Sequence, residues 1–217
     1  MAQSTFLDFA RGHLPPPPAR VLDIGCGAGE LTTALAVAGY DVLGIDPAAP
    51  QGDLFRRVLL EDLDPDERPF DGAVAVQSLH HMRHLDDNLD RVVALLQPGG
   101  TLVVSEFGWN LADEPTLDWL WNHRRAIASA GNGDPPGSFE ELREDWESEH
   151  VGVHRFETLR AELDARFEEH AFEPGPFLYR KLRGVATTEV LEQALIDSGA
   201  IQALGFRYAG VALPPEG

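Results

Sequence analysis

Three glycines stand at alternate positions, Gly25, Gly27 and Gly29, directly after the apolar run VLDI. A helix-like pattern follows them, and a second apolar run ends at Asp46. This order of elements predicts a nucleotide-binding βαβ unit. Dinucleotide-binding loops usually read G-x-G-x-x-G, and their pyrophosphate sits at the helix N-terminus. Glu30 occupies that position here, where a carboxylate opposes a phosphate, so a ligand without a pyrophosphate is favoured.

The elements that must position this loop follow a regular order. Apolar strand-like runs recur between residues 20 and 107, with helical patterns at 29–39 and 86–96. Such alternation predicts a parallel α/β sheet with right-handed crossovers. The run FRRVLLED is interpreted as its third strand, and the short PAAPQGDL segment before it predicts an irregular loop in place of a crossover helix.

The rhythm of strands and helices breaks after residue 107. Helix-like segments fill residues 108–166, and Ser138 with Glu141 predicts a capping box there. Two strand patterns with a helix between them close the chain. We therefore predict a core formed by 1–107 and 167–217, with 108–166 as a helical insertion before the last two strands.

Charge and composition exclude several classes of function. The chain of 217 residues carries a formal net charge of −19, which would repel nucleic acid and anionic membranes. No apolar run is long enough to span a bilayer, and the first twenty residues lack the pattern of a signal peptide. The single cysteine, Cys26, cannot form an internal disulfide, which agrees with a reducing cytoplasm. Cys26 is predicted to be a small packed residue rather than a nucleophile.

Five motifs in a fixed order define a family resemblance. They are LDIGCGAG (22–29), GID (44–46), ED (61–62), FDGAVAVQSLHH (70–81) and LLQPGGTLVVSE (95–106). Residues 21–105 thereby resemble the class I S-adenosylmethionine-dependent methyltransferases of the small-molecule type. The resemblance implies a Rossmann-like, seven-stranded, mostly parallel sheet with helices on both faces, and S-adenosylmethionine as cofactor. It covers about half of the chain.

The resemblance also implies roles for the first two strand ends. Gly25, Gly27 and Gly29 would let the backbone approach the methionine portion of the cofactor, where a Cβ would collide. Asp23 would face the ligand's ammonium group, directly or through water. Asp46 would accept hydrogen bonds from both ribose hydroxyls.

Three further cofactor contacts are expected on the same basis. Asp62 would accept a hydrogen bond from the adenine amino group, with the Leu63 amide meeting a ring nitrogen. Adjacent residues of a strand point to opposite sides, so only one of Glu61 and Asp62 can serve the adenine, and Asp62 is favoured. Gln77 would lie beside the methionine chain.

The candidates for catalysis are less defined. Methyl transfer from a sulfonium requires alignment of donor and acceptor, and a base matters only for some acceptors. His81, Glu106 and His154 are the candidate residues, with His80 and His150 as alternatives to the two histidines. His80 and His81 are also interpreted as structural residues, Glu106 as an N-cap, and His150 and His154 as members of a solvated helix face. No histidine cluster predicts a metal site.

The predicted insertion is rich in aromatic residues. A lid carrying these residues over the strand ends would suit a planar or apolar small molecule, and Phe177 and Tyr179 are expected to line the same cavity. A covered site would also exclude macromolecular acceptors. The tryptophans of this segment are Trp109, Trp119, Trp121 and Trp146.

These observations favour an enzyme that methylates an oxygen or a nitrogen of a small molecule, with oxygen slightly ahead and a secondary metabolite as the expected acceptor. Two alternatives stay open. A protein of this fold can act as a cyclase or a non-catalytic cofactor-binding subunit. A dinucleotide oxidoreductase would require a loop compatible with a pyrophosphate. The sequence carries no signature of an oligomeric state.

Overall fold

The computed structural model describes residues 5–64, 66–131, 135–182 and 186–214. Seven strands occur there: β1 (Arg20–Ile24), β2 (Asp41–Ile45), β3 (Phe55–Arg56), β4 (Phe70–Val76), β5 (Leu96–Phe107), β6 (Phe167–Gly175) and β7 (Gly205–Ala212). The α-helices in these ranges are α1 (Phe6–His13), α2 (Glu30–Val37), α3 (Leu85–Leu95), α4 (Glu114–Ser129), α5 (Phe139–Glu149), α6 (Phe156–Asp164) and α7 (Ala186–Asp197).

The strands form one sheet in the order β3-β2-β1-β4-β5-β7-β6. The pairings β1–β2, β1–β4, β2–β3 and β4–β5 are all parallel. Val21, Leu22 and Ile24 of β1 are each no more than 1% exposed. A central strand of a parallel sheet is buried on both faces, which explains why its sequence is an almost continuous apolar run. The predicted seven-stranded, mostly parallel α/β fold is confirmed.

The connection between β2 and β3 contains no helix, as predicted from its prolines and glycine. The third strand is much shorter than its apolar sequence suggests. Only Phe55 and Arg56 pair with β2, and the chain then enters a 3-10 turn at Leu60–Asp62. The interpretation of the whole run FRRVLLED as a strand is therefore wrong after Arg56.

The chain divides into two compact units. The first consists of Met1–Glu106, Glu157–Glu173 and Arg207–Gly217, and the second of Phe107–Phe156 and Pro174–Phe206. These bounds differ from the predicted ones at two helices: most of α6 belongs to the first unit, and α7 belongs to the second. The termini 1–4 and 215–217 and the segment 183–185 lie outside the described residues.

The first unit has a core around its central strands. Phe9 of α1 and Leu35 of α2 pack with Val21, Val74 and Val103 of three neighbouring strands. Burial of these side chains holds α1 and α2 against the sheet, and each fully buried aliphatic or aromatic side chain contributes about 1.5–3 kcal/mol. This packing fixes the position of the loop between β1 and α2.

The second unit has its own core and a buried carboxylate that ties it together. Glu192 of α7 is fully buried and accepts hydrogen bonds from the amides of Phe177 (2.8 Å), Leu178 (2.8 Å) and Tyr179 (2.7 Å). Burial raises the pKa of this carboxyl above its ordinary value. Leu178 also packs with Leu120 of α4. These contacts explain why α7 joins the second unit, although the sequence order suggested the sheet core.

The capping box predicted for α5 is present. The Ser138 hydroxyl accepts from the Glu141 amide (3.1 Å), and the Glu141 carboxylate accepts from the Ser138 amide (2.6 Å). Within the described ranges, no helix combines the length and the hydropathy that crossing a membrane requires.

Candidate functional site

The site begins at the carboxyl ends of β1, β2 and β4. Because these strands are parallel neighbours, the residues that follow them meet at one edge of the sheet. A cavity of about 700 Å³ lies there in the first unit. Its wall includes Gly25, Asp46, Glu61, Gln77 and His81. Four of these five are residues that the sequence analysis assigned to binding or catalysis, and the fifth, Glu61, was the alternative to Asp62.

The glycine loop requires glycine mainly for its backbone and its protein neighbours. Gly25, Gly27 and Gly29 have φ values of +72°, +52° and +81°, which side chains with a Cβ rarely adopt. A Cβ at Gly25 would lie 2.5 Å from Ser78 Cβ, and one at Gly29 would lie 2.5 Å from the Phe55 ring. A Cβ at Gly27 would meet no atom within 4 Å. Only Gly27 therefore leaves open space toward which a ligand could approach.

Asp46 fastens the glycine loop to the second strand. Its Oδ2 accepts a hydrogen bond from the Gly27 amide at 3.2 Å, and its Oδ1 accepts one from the Ala48 amide at 2.7 Å. Each carboxylate oxygen can accept more than one hydrogen bond. The Asp46 carboxylate thus keeps acceptor capacity on the cavity wall, as the ribose assignment requires.

Asp23 lies deeper than the cavity wall. Its side chain is 1% exposed, and its Oδ2 accepts a hydrogen bond from the Thr32 hydroxyl at 2.6 Å. Burial raises the pKa of Asp23 to about 6, and the negative charge of Asp46 adds to the increase. Thr32 itself is fully buried in α2 and was not singled out from the sequence, where its only signal is the TT pair after the glycine loop.

The residues predicted for the adenine do not lie as expected. Glu61 is on the cavity wall, whereas Asp62 and Leu63 are not among its lining residues. The Leu63 amide donates to the Leu60 carbonyl at 3.2 Å, so the turn already uses it. The preference for Asp62 assumed strand alternation, and the 3-10 turn replaces that alternation. Glu61, the alternative to Asp62, is thus the member of this pair that lines the cavity.

Gln77 occupies a strained position at the end of β4. Its φ of +50° lies in the left-handed region, and in the described chain it is the only non-glycine residue there. Its amide donates to the Ser105 carbonyl at 2.8 Å, and the neighbouring Ser78 hydroxyl donates to the Ile24 carbonyl at 2.9 Å. Strained residues cluster at ligand sites, where the surrounding structure holds them in place. Gln77 thus follows β4 on the cavity wall, and its contact with the methionine chain of the cofactor stays a prediction.

Glu106 acts on the turn that carries the histidines. Its carboxylate is fully buried and accepts from the amides of Leu79 (2.8 Å) and His80 (3.4 Å). Its second oxygen lies 2.7 Å from His80 Nδ1. Because the carboxylate only accepts, Nδ1 carries the shared hydrogen and donates it. Glu106, a candidate catalytic residue from the sequence, is not among the lining residues of the cavity and instead positions the turn Leu79–His81.

His81 is the candidate histidine that reaches the cavity. His81 is exposed and lines the cavity wall. The centroid of its ring lies 4.0 Å from the centroid of the buried His80 ring. His80, held by Glu106, therefore packs against His81 on the side of the buried turn. The structure thus shows that His80 is buried and that His81 is exposed, which could not be predicted from the sequence.

The histidines of the second unit differ from each other. His150 is 5% exposed, its Nδ1 lies 2.6 Å from the Trp146 carbonyl oxygen, and its ring stacks on Trp109 with centroids 5.4 Å apart. The interpretation of His150 as part of a solvated face is wrong, because the ring belongs to an aromatic core. His154 is half-buried in the segment between α5 and α6.

Aromatic residues of the predicted lid, together with Phe107 and Phe177, form the core of the second unit. Phe107 and Phe177 stack with centroids 4.0 Å apart and planes at 4°. The Trp146 indole donates to the Trp109 carbonyl at 3.1 Å. Phe177 is thus a buried core residue. Trp119, Trp121 and Tyr179 are half-buried.

The described residues provide neither a reactive thiol at Cys26 nor a metal site. Burial, together with the charges of Asp23 and Asp46, raises the pKa of the Cys26 thiol to about 11, which keeps it protonated at neutral pH. This supports the prediction that Cys26 is not a nucleophile. Over the described ranges, no group of three histidine, cysteine or acidic side chains has the geometry of a metal site.

Comparison with known proteins agrees with this geometry. A family model described as a methyltransferase domain matches residues 4–169. A ubiquinone biosynthesis O-methyltransferase of Bradyrhizobium sp. (strain ORS 278) is 36% identical over 122 residues, covering 46% of this chain and 48% of that protein. The chain therefore spans about half the length of the curated relatives it matches.

Solved structures match nearly the whole chain. An S-adenosylmethionine dependent methyltransferase from Mesorhizobium loti has a TM-score of 0.58 at 20% identity, covering 94% of this chain and 96% of that one. The [4+2]-cyclase SpnF has a TM-score of 0.55 at 18% identity, covering 96% of this chain and 79% of that one. At these identities the likeness concerns the fold, which both a methyltransferase and a cyclase share.

Proposed function

The chain belongs to the methyltransferase domain family, and we propose that it transfers a methyl group from S-adenosylmethionine to an oxygen or a nitrogen of a small molecule. The observation that carries the proposal is the cavity at the sheet edge. There the Asp46 carboxylate and the strained Gln77 line one wall after β2 and β4, the two strands that flank β1 in the parallel sheet, and Asp46 also accepts a hydrogen bond from the Gly27 amide of the glycine loop. The name of the Bradyrhizobium relative supports oxygen as the accepting atom.

The acidic residues of the cavity suit a cationic ligand. Asp46 would accept hydrogen bonds from the ribose hydroxyls, and Glu61 would accept one from the adenine amino group. Asp23 would meet the ligand's ammonium through water, since its carboxyl is buried behind the wall. The sulfonium and ammonium charges would favour ionised Asp23, whose pKa burial has raised.

The same features oppose a dinucleotide. Glu30 lies in the first turn of α2, next to the loop where a pyrophosphate would sit. A phosphate there would face this carboxylate as well as those of Asp46 and Asp23. S-adenosylmethionine carries no phosphate and avoids this repulsion.

On the acceptor side, His81 is the proposed base for an acceptor that must lose a proton. Methyl transfer is an in-line displacement, so the protein's main contribution is to hold the two reactants in line. Glu106 and His80 would serve by fixing the turn that presents His81. His154 is the second candidate for this base. We further propose that the segment 108–166 is a lid that selects small acceptors. A cytoplasmic location is part of the same proposal.

Calorimetric titration with S-adenosylhomocysteine tests the cofactor assignment. The wild type should bind, and Asp46→Ala should lose about 2–4 kcal/mol of binding free energy, because two hydroxyls lose a charged acceptor. Asp53→Ala is the matched control, since Asp53 is an exposed carboxylate of the same loop and does not line the cavity. No binding by the folded wild type would refute the proposal.

Binding without methyl transfer would favour the alternative. Single-turnover assays with isotope-labelled S-adenosylmethionine and a panel of phenols and amines would show whether the methyl group moves. A cofactor that stays intact while the protein binds it tightly would indicate a cyclase or a non-catalytic subunit.

A further inference from the structure

The cavity wall of the first unit carries opposite charges on different segments. Asp46 follows β2, and Glu61 lies in the turn after β3. His81, Arg83 and His84 come from one stretch of chain between β4 and α3. Parallel strands bring these segments to the same sheet edge, so one cavity contains an acidic part and a basic part.

Arg83 is the arginine on the wall of this cavity. Several other arginines pair with carboxylates: Arg20 pairs with Glu67 at 2.7 Å, and Arg166 pairs with Glu162 at 2.5 Å. Arg83 lines the cavity, and its guanidinium forms no ion pair or hydrogen bond with any residue that the structure describes. Asp86 and Asp87, three and four positions further along, are exposed on α3 and do not pair with it.

An unpaired arginine in such a protein has a physical consequence. With a net charge of −19, the chain as a whole repels anions. A local cationic segment on the cavity wall reverses that effect at one place. The planar fork of a guanidinium matches the two oxygens of a carboxylate or a phosphate, which a single point charge does not.

We propose that Arg83 is a specificity-determining residue that binds an anionic group of the methyl acceptor, a carboxylate or a phosphate, with His81 and His84 beside it. The accepting hydroxyl or amine would then belong to a small acid rather than a neutral lipid-like molecule. This inference rests on the proposed function for the role of the cavity and adds the chemical class of the acceptor. The acidic part of the wall would hold the cofactor, and the basic part would hold the acceptor.

Anion binding can be measured without knowing the acceptor. Benzoate, phenyl phosphate and the neutral benzamide would be titrated into the isotope-labelled protein saturated with S-adenosylhomocysteine, and backbone amide shifts would be followed by NMR. At least one anion should shift the amides of residues 79–88 saturably, and benzamide should bind several-fold more weakly. A preference between benzoate and phenyl phosphate would distinguish a carboxylate from a phosphate acceptor.

Variants connect the binding to one side chain. Arg83→Gln should weaken the anion's affinity about fivefold, the upper range for an exposed ion pair, and Arg83→Lys should fall between. Arg11→Gln is the matched control, because Arg11 is exposed on α1 and removes the same charge away from the cavity. Equal binding of benzamide, unchanged affinity in Arg83→Gln, or no saturable shift with either anion would overturn the inference.

The two proposals can fail separately. Titration of S-adenosylhomocysteine comes first, and its failure would refute the cofactor assignment alone. The anion titration would then be repeated on the free protein, where an Arg83-dependent shift would still support an anion site in this cavity.

Discussion

In the first unit, His81 is exposed on the wall of a cavity of about 700 Å³. In the second unit, His150 is 5% exposed and its ring stacks on Trp109. Both histidines were possible bases from the sequence alone. The comparison teaches that side-chain type gives a list of candidates, whereas burial decides which of them can meet a ligand.

The two units also differ in how they treat polar groups. In the first unit, Asp46 and Gln77 lie on a cavity wall, and burial raises the pKa of Asp23 to about 6. In the second, the buried Glu192 accepts three backbone hydrogen bonds, and the Trp146 indole donates to a carbonyl. Burial raises the pKa of both Asp23 and Glu192, so the two units differ in backbone strain and in the polar side chains left on a cavity wall rather than in buried charge.

The largest expected effect tests whether the aromatic region is structural. Trp146→Ala should lower the free energy of unfolding by about 3–5 kcal/mol, because it removes a 5%-exposed indole and its hydrogen bond. Chemical denaturation measures this loss. Trp119→Ala, which removes a half-buried ring, should have a clearly smaller effect. S-adenosylhomocysteine affinity at a temperature where the variant is folded should stay within about twofold; a large loss would contradict the contrast between the units.

The next effect concerns the charge buried near the ligand. The pKa of Asp23 rises from 3.8 to about 6 on folding, so between these values the folded state binds more protons than the unfolded state. Stability therefore falls as the pH increases through this window. At about 1.4 kcal/mol per pKa unit, the ionised carboxyl costs about 3 kcal/mol at neutral pH.

The substitution Asp23→Asn should remove the free-energy cost of the buried, ionised carboxyl. The variant should be more stable than the wild type by up to about 3 kcal/mol at neutral pH, and the difference should disappear toward pH 4. It should also bind S-adenosylhomocysteine more weakly, because the ammonium loses an anion. Denaturation at intervals between about pH 4 and pH 7 provides the check, with Asp53→Asn as an exposed control. A pH-independent difference would sink this account of Asp23.

The smallest expected effect tests whether Glu106 positions the turn Leu79–His81. Glu106→Gln should lower the free energy of unfolding by about 2 kcal/mol, since a buried charge-assisted hydrogen bond to His80 is lost. Hydrogen exchange of the Leu79 amide should become faster, because the same carboxylate holds that amide. Glu168→Gln, on the exposed part of β6, controls for the change of charge. Unchanged exchange at Leu79 would argue that Glu106 does not position the turn.

Much of the fold could be predicted because local sequence and global structure agree. The apolar runs of β1, β2, β4 and β5 and the helical periodicity of α2 and α3 each match their elements. The third strand could not be predicted fully. The run FRRVLLED satisfies a strand pattern, but the chain pairs for only two residues, and Leu60–Asp62 form a 3-10 turn.

The residues of the candidate site also fall into those that could be predicted from the sequence and those that could not. The glycine loop and Asp46 were predictable, because positive φ and a strand-end carboxylate leave direct traces in residue type. The choice of Glu61 over Asp62 was not, since it depends on a 3-10 turn. Arg83 was not singled out either, because only the cavity wall separates it from the other arginines.

The sequence by itself determined the family, the sheet and the edge at which a ligand can bind, because glycine spacing and hydrophobic periodicity are local properties of the chain. The tertiary structure alone decided which acids and histidines face that edge. It buried Glu106, His80 and His150 and left Glu61, His81 and Arg83 on the cavity wall. Burial is a property of elements that are distant in sequence, and no spacing along the chain records it.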